Sequence, residues 1–124
     1  MRNISEFLEE TKEERYIVSP PSIIRGIGKK GVSRATVIKD YAYTITTRPD
    51  RCPTQILNID NGKYRFLTER ECWRLQGFTD EDYNNALSVN PGKFRKLNGA
   101  LYKQAGNSMP VPILEAIFKQ ILSL

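Results

Sequence analysis

The stretch from Arg65 to Phe78 constrains the fold more than any other, because it carries both a helix start and a helix stop. Thr68 and Glu71 have the spacing of a capping box, in which the threonine oxygen accepts the Glu71 amide and the Glu71 carboxylate accepts the Thr68 amide. Leu67 and Cys72 are placed to close over that start as a hydrophobic staple. Cys72 and Leu75 share a face, and Gly77 supplies the left-handed residue through which the chain leaves. The spacing predicts a short helix, roughly Glu69 to Gln76.

A chain of 124 residues has room for one domain with a modest core. Its net charge of +5 is unevenly spread: the first fifteen residues carry five Glu against three basic groups, leaving +7 for the rest. An excess of that sign suits a polyanionic partner, although charge alone equally describes a solvated basic surface. Two cysteines, no histidine and no apolar run of membrane length favour a soluble protein of a reducing compartment. Cys52 and Cys72 are too few and too far apart for a zinc site, so no metal is expected.

Along the chain, Ile4, Phe7 and Leu8 fall at helical spacing and predict a short amphipathic helix. Tyr16 to Val18 runs into Ser19-Pro20-Pro21-Ser22, which ends any regular element. From Arg25 to Arg34 three glycines alternate with Arg25, Lys29, Lys30 and Arg34, which by themselves read as a flexible basic loop that need touch nothing. Ala35 to Ile38 and Tyr41 to Thr46 predict two strands. The prolines of Thr46 to Pro53 make an irregular loop from which Arg48 and Arg51 project. Gln55 to Asp60 and Lys63 to Leu67 flank Asn61-Gly62, a type I′ hairpin signal. Thr79 to Asn90 reads as an acidic, polar stretch, followed by a Pro91-Gly92 turn. The last segment sets Val111, Leu114, Ile117, Phe118, Ile121 and Leu122 on one broad apolar helix face.

Arg65, Leu67, Thr68, Arg70, Glu71, Arg74, Leu75, Gln76, Gly77 and Phe78 together resemble the ninth sequence motif of the DNA (cytosine-5)-methyltransferases. Leu101 to Pro112, reading Leu-Tyr-Lys-Gln-Ala-Gly-Asn-Ser-Met-Pro-Val-Pro, resembles the family's tenth and last motif, in the expected order and before a terminal helix. Thr44-Ile45 is similar to the Thr-Leu pair of the family's recognition region. The resemblance implies an α+β fold: a small mixed β target-recognition domain with short helices over residues 1–97, then the tenth motif and C-terminal helix over 98–124. In the family that helix docks on a Rossmann-like catalytic domain, which this sequence does not contain.

The same resemblance implies a function. The chain would be the recognition and C-terminal portion of an S-adenosylmethionine-dependent enzyme of DNA methylation and restriction-modification, a fragment or a small subunit. It would bind double-stranded DNA in a bacterial or phage-like cytoplasm and complete the cofactor site with a catalytic partner. Family enzymes flip the target cytosine out of the duplex and attack it with a cysteine thiolate. The Pro-Cys loop for that step has no counterpart here, and neither Cys52 nor Cys72 is assigned to it, so no catalytic residue is expected and the chain alone should be inactive. Asn107 and Ser108 match positions that contact S-adenosylmethionine. They are expected to precede a helix start marked by Pro110 or Pro112, whose free amides would favour the cofactor carboxylate; a simple N-cap role for Ser108 is the alternative. Thr68, Arg70, Glu71 and Gly77 are expected to organise the region. Arg48 and Arg51 are candidate readers of guanine edges, while Arg25, Lys29, Lys30, Arg34 and Thr44 complete the expected DNA contacts. A stand-alone DNA-binding module that has lost catalysis, or a relic without activity, would share these features. An apolar terminal helix without its catalytic domain would also favour self-association of the isolated chain.

Overall fold

The computed structural model describes residues 3–11, 13–18, 35–42, 44–48, 54–60, 63–93 and 95–123. The basic segment with Arg25, Lys29, Lys30 and Arg34, the Pro20-Pro21 break, Arg51, Cys52 and the Asn61-Gly62 turn lie outside them.

A three-stranded sheet has the order β1 (Ala35–Val37), β2 (Thr54–Asp60), β3 (Lys63–Phe66). β2 and β3 pair antiparallel, Ile56 opposite Phe66 and Leu57 opposite Arg65, as the two arms of the expected hairpin require. β1 instead pairs with β2 in parallel, Val37 opposite Ile56, so the chain between them crosses over. On the outer edge of β3, Ile17 bridges Arg65, and the Val18 amide donates to the Tyr64 carbonyl at 3.0 Å.

Successive strand residues face opposite sides, and the two sides are covered differently. Ile56 and Phe66 pack with Val18 in a small cluster, whereas Leu57 enters the main core with Ile4, Ile38, Leu67, Cys72 and Tyr102. Two helices contribute to that core, a third packs against the first of them through Tyr83 and Trp73, and a fourth leaves it.

The first, α1 (Glu69–Leu75), begins with both bonds of the Thr68–Glu71 capping box, at 3.1 and 2.8 Å. Leu67 and Cys72, on either side of the start, are buried in one cluster. Its end is a Schellman turn: the Gly77 amide donates to Arg74 O at 2.9 Å and the Phe78 amide to Trp73 O at 3.1 Å. Gly77 holds φ 90°, and the Trp73 and Phe78 rings, 5.0 Å apart, supply the apolar contact that accompanies this turn.

Two sequence expectations are corrected. Residues 41–46 form no strand among those described; Ile45 is buried in the core, and the Thr44 carbonyl accepts a bond from the Gln55 side chain at 2.8 Å instead of a ladder partner. The N-terminal segment forms only a 3-10 turn, Ile4–Glu6, because the carbonyls that would continue a helix are claimed elsewhere: Arg74 Nη1 donates to Phe7 O and Leu8 O, and Arg65 Nη2 to Glu9 O. The stretch after Phe78, which the sequence marks only as acidic and polar, is helical. It is α2 (Asp80–Val89), started by a second capping box between Thr79 and Asp82.

α3 (Gly99–Asn107) lies along α1, burying Leu101, Tyr102 and Ala105. α4 (Val111–Leu122) then starts at Pro110 and buries none of its residues.

Candidate functional site

Two carboxylates of α1 stand back to back. Glu71 is fully buried and accepts four hydrogen bonds: two from Arg65, Nη1 at 2.7 Å and Nη2 at 2.9 Å, one from the Thr68 amide at 2.8 Å and one from the Glu9 amide at 2.9 Å. Burial works against the Arg65 charge, but the Glu71 carboxylate more than restores it and the guanidinium pKa is raised. Glu71 thus joins β3, the start of α1 and the N-terminal segment, and all its accepting capacity is spent on structure.

Glu69, also buried, accepts from the Tyr16 hydroxyl and from the Asn98 amide at 2.8 Å. Asn98 in turn caps α3. Tyr16 and Tyr102 are held protonated well above the ordinary phenol range, chiefly by burial, to which Glu69 adds its hydrogen bond and charge at Tyr16 and its charge at Tyr102. Burial likewise pushes the Cys72 thiol up, with the neighbouring Glu71 and Glu69 adding to it. A thiol so placed stays uncharged at neutral pH, unlike a nucleophile, which needs a thiolate.

The outer face of α1 carries the other two arginines. Arg74 grips Asp80 through two bonds, at 2.8 and 2.7 Å, and this partner is what holds the Asp80 carboxyl below its ordinary range. Arg70 lies over the Tyr83 ring at 4.6 Å, contacts Glu9 at 3.2 Å and donates to Asn84 at 3.1 Å. Thr68, Arg70 and Glu71 therefore brace three segments against one another.

Gln76 and Gly77 connect this frame to the second motif. Gln76 Nε2 donates to the Ala105 carbonyl at 2.7 Å and to the Ser108 carbonyl at 2.9 Å, closing the C-terminus of α3, while its own carbonyl accepts the Val111 amide at 2.8 Å. With Tyr102 Oη donating to Leu67 O at 2.6 Å and Trp73 Nε1 to Leu101 O at 3.0 Å, α3 is fixed along its length. A Cβ on Gly77 would approach Pro112 Cδ to 2.7 Å, so the glycine also admits the first turn of α4.

Asn107 and Ser108 precede α4, whose start Pro110 marks as expected, but they themselves form the end of α3. Asn107 closes that helix, with its side chain exposed, and Ser108 is the C-cap, its hydroxyl donating to the Gln104 carbonyl at 2.8 Å. The N-cap alternative for Ser108 is replaced by this C-cap role. The first amide of α4 that the expectation left free, that of Val111, is taken by Gln76. Asn107 is exposed and Ser108 half-buried, so both present polar groups that could hold a polar ligand.

Of the expected DNA contacts, Thr44 and Arg48 are described, and both are exposed. They belong to one segment whose Ile45 is buried among α3 and β2 residues. The sequence reading missed Glu69, Gln76, Asn98 and Gly106. Gln76 stood inside a quoted motif, but its two bonds to α3 carry no local signal. Among the described residues no group of His, Cys, Asp and Glu could hold a metal ion, and no helix is long and apolar enough to cross a membrane.

Comparison with known proteins agrees with this frame. The family model for C-5 cytosine-specific DNA methylase matches residues 2–123. The chain is 36% identical over 114 residues to the orphan methyltransferase M.SPBetaI of Bacillus phage SPbeta, covering 92% of this chain and 24% of that protein. It is 46% identical over 81 residues to the orphan methyltransferase M.Rho11sI of Bacillus phage rho11s, covering 65% of this chain and 15% of that protein. To the type II methyltransferase M2.ScrFI of Lactococcus lactis subsp. cremoris it is 43% identical over 134 residues, covering 96% and 33%. The chain thus spans a third or less of the length of these relatives. No solved structure matches significantly. A capped α1 held by Glu71 and Arg65, tied through Gln76 to α3, and a family match from end to end lead to one conclusion: the chain belongs to the C-5 cytosine-specific DNA methylase family.

Proposed function

We propose that this chain supplies the target-recognition and C-terminal portion of an S-adenosylmethionine-dependent DNA (cytosine-5)-methyltransferase, and that methyl transfer requires a catalytic part held elsewhere. The observation that carries this reading is α4: Ile113, Ile117, Phe118, Ile121 and Leu122 are between 44% and 84% exposed, although they form one apolar helix face. Leaving such a face in water forgoes about 25 cal/mol for each Å² that could be buried. A missing domain is the natural cover, and the relatives are three or more times longer than the region they share with this chain.

Residues 1–97 carry recognition and residues 98–124 the cofactor motif and the docking helix. DNA is approached by the segment Thr44 to Arg48 together with the cations Arg25, Lys29, Lys30, Arg34 and Arg51 of the neighbouring sequence. Arg48 and Arg51 read bases and the lysines hold phosphates. Asn107 and Ser108 hold S-adenosylmethionine, with their polar groups at the end of α3. The cofactor supplies the methyl group; the contribution of this chain is to position cofactor and duplex. Thr68, Arg70, Glu71 and Gly77 keep these two surfaces in fixed relation. The site of action is the DNA of a bacterial or phage-infected cytoplasm.

The test is methylation mapping by bisulfite sequencing, using this chain mixed with the catalytic portion of a relative such as M.SPBetaI. Cytosine methylation in a defined sequence context by the mixture, and none by either part alone, is expected. Methylation by the chain alone would overturn the reading.

A further inference from the structure

Among the described glycines, Gly106 has the tightest surroundings. A Cβ built on it would lie 2.4 Å from the Thr46 carbonyl carbon, 2.4 Å from the Thr47 nitrogen and 2.6 Å from the Thr46 oxygen. These are backbone atoms, which cannot swing aside as a side-chain end would. The neighbours of the contact restrain the same segment from other directions. Ile45 is buried in the core that includes Tyr102 and Ala105 of α3, and Gln55 of β2 donates to the Thr44 carbonyl at 2.8 Å. The next residue after the contact on one side is Asn107, and on the other, Arg48.

We infer that Gly106 is a positioning residue for target recognition: it lets the Thr44–Arg48 segment lie flat on the end of α3 and so fixes how Thr44 and Arg48 meet the duplex. The inference rests on the proposed function, since it assigns a DNA-facing role to that segment. It adds that recognition is set from within the cofactor motif, by a residue that touches neither base nor cofactor. A methyl group at Gly106 must push the backbone of Thr46 and Thr47 outward, and overpacking of this kind shifts local equilibria by about tenfold or more. Gly99 provides an internal control, because a Cβ there meets nothing within 4 Å.

The experiment uses the full chain and its Gly106→Ala and Gly99→Ala variants, with two readouts. The first is hydrogen exchange of residues 44–48 relative to α2. The second is selection from a randomised duplex library, with the bound fraction sequenced. Wild type and Gly99→Ala are expected to enrich the same motif. Gly106→Ala is expected to exchange residues 44–48 about tenfold faster and to lose the motif, while keeping salt-sensitive affinity for DNA in general. Unchanged exchange, or an unchanged motif in Gly106→Ala, overturns the inference alone. A wild-type chain that enriches no motif overturns the proposed function and the inference with it. If Gly106→Ala does not fold, Gln55→Ala, which loosens the same segment from the other side without overpacking, is expected to weaken enrichment in part; full retention of the motif by Gln55→Ala then overturns the inference.

Discussion

Glu71 and Arg65 meet through two hydrogen bonds of 2.7 and 2.9 Å with both side chains almost fully withdrawn from solvent. Removing one partner from such a pair leaves a buried charge without compensation, which costs about 3–5 kcal/mol. Glu71→Ala should destabilise the chain by that order in chemical denaturation. Arg65→Met combined with Glu71→Leu should cost clearly less than the two single changes added together. Additive losses would show that the two side chains act independently.

Gly77 is needed twice, for its φ of 90° and for the 2.7 Å that a Cβ would leave to Pro112 Cδ. Gly77→Ala is expected to cost about 1–2 kcal/mol for the left-handed backbone alone, with a further loss where α4 is displaced. Gly99→Ala, with open space around it, should be neutral or stabilising by about 0.4–1 kcal/mol. Thermal melts of the two variants check this, and equal melting temperatures would contradict it.

Alkaline pH should unfold the chain through its tyrosines. Burial, and next the Glu69 charge, push Tyr83 up to about 12, and Tyr16 and Tyr102 are held higher still. In the unfolded chain these phenols ionise near their ordinary value of about 10. The folded state therefore binds more protons above that value. Its stabilisation is complete below pH about 10 and declines as pH rises through about 12. Ultraviolet titration should show Tyr16, Tyr83 and Tyr102 ionising late and together with loss of helical circular dichroism. Ionisation of these three phenols near their ordinary value in a folded chain would refute this.

The apolar face of α4 should govern association. The isolated chain is expected to self-associate in sedimentation, or to exchange the amides of residues 110–123 quickly, and to gain protection when a catalytic part is added. A monomer with α4 equally protected in both conditions would instead describe a complete DNA-binding module.

Arg48→Ala should alter sequence preference more than overall affinity, since a base contact discriminates by about 1–3 kcal/mol. Lys29→Ala should lower affinity for all sequences alike and flatten the salt dependence. The two variants compared on the same duplexes separate base reading from phosphate contact.

What was legible in the sequence was local. The Thr68–Glu71 box, the Gly77 stop and the arms of the β2–β3 hairpin each depend on residues close in the chain, and each appears where the spacing puts it. The Thr79–Asp82 box was equally local, but α2 buries only Tyr83, so no apolar periodicity drew attention to it. The parallel pairing of β1 with β2 has no adjacent turn to announce it. Glu69 reads as a favourable charge on the first turn of a solvated helix; its burial depends on Tyr16 and Asn98, which arrive from opposite sides in sequence. The closeness of Gly106 to Thr46 is likewise a tertiary fact, invisible until α3 and the crossover are laid together.

The parallel arrangement of β1 and β2 makes the stretch between them an exchangeable insert. Both of its ends are clamped in register, with the Ile38 amide on the Ile56 carbonyl at 2.8 Å continuing the ladder past β1. Lengthening a loop between fixed ends is cheap, about 0.6 kcal/mol per doubling. A lineage can therefore trade one such insert for another while sheet and helices stay as they are. The graft has to respect two rules: an apolar side chain where Ile45 enters the core, and an unobstructed strip of backbone where Gly106 passes beneath.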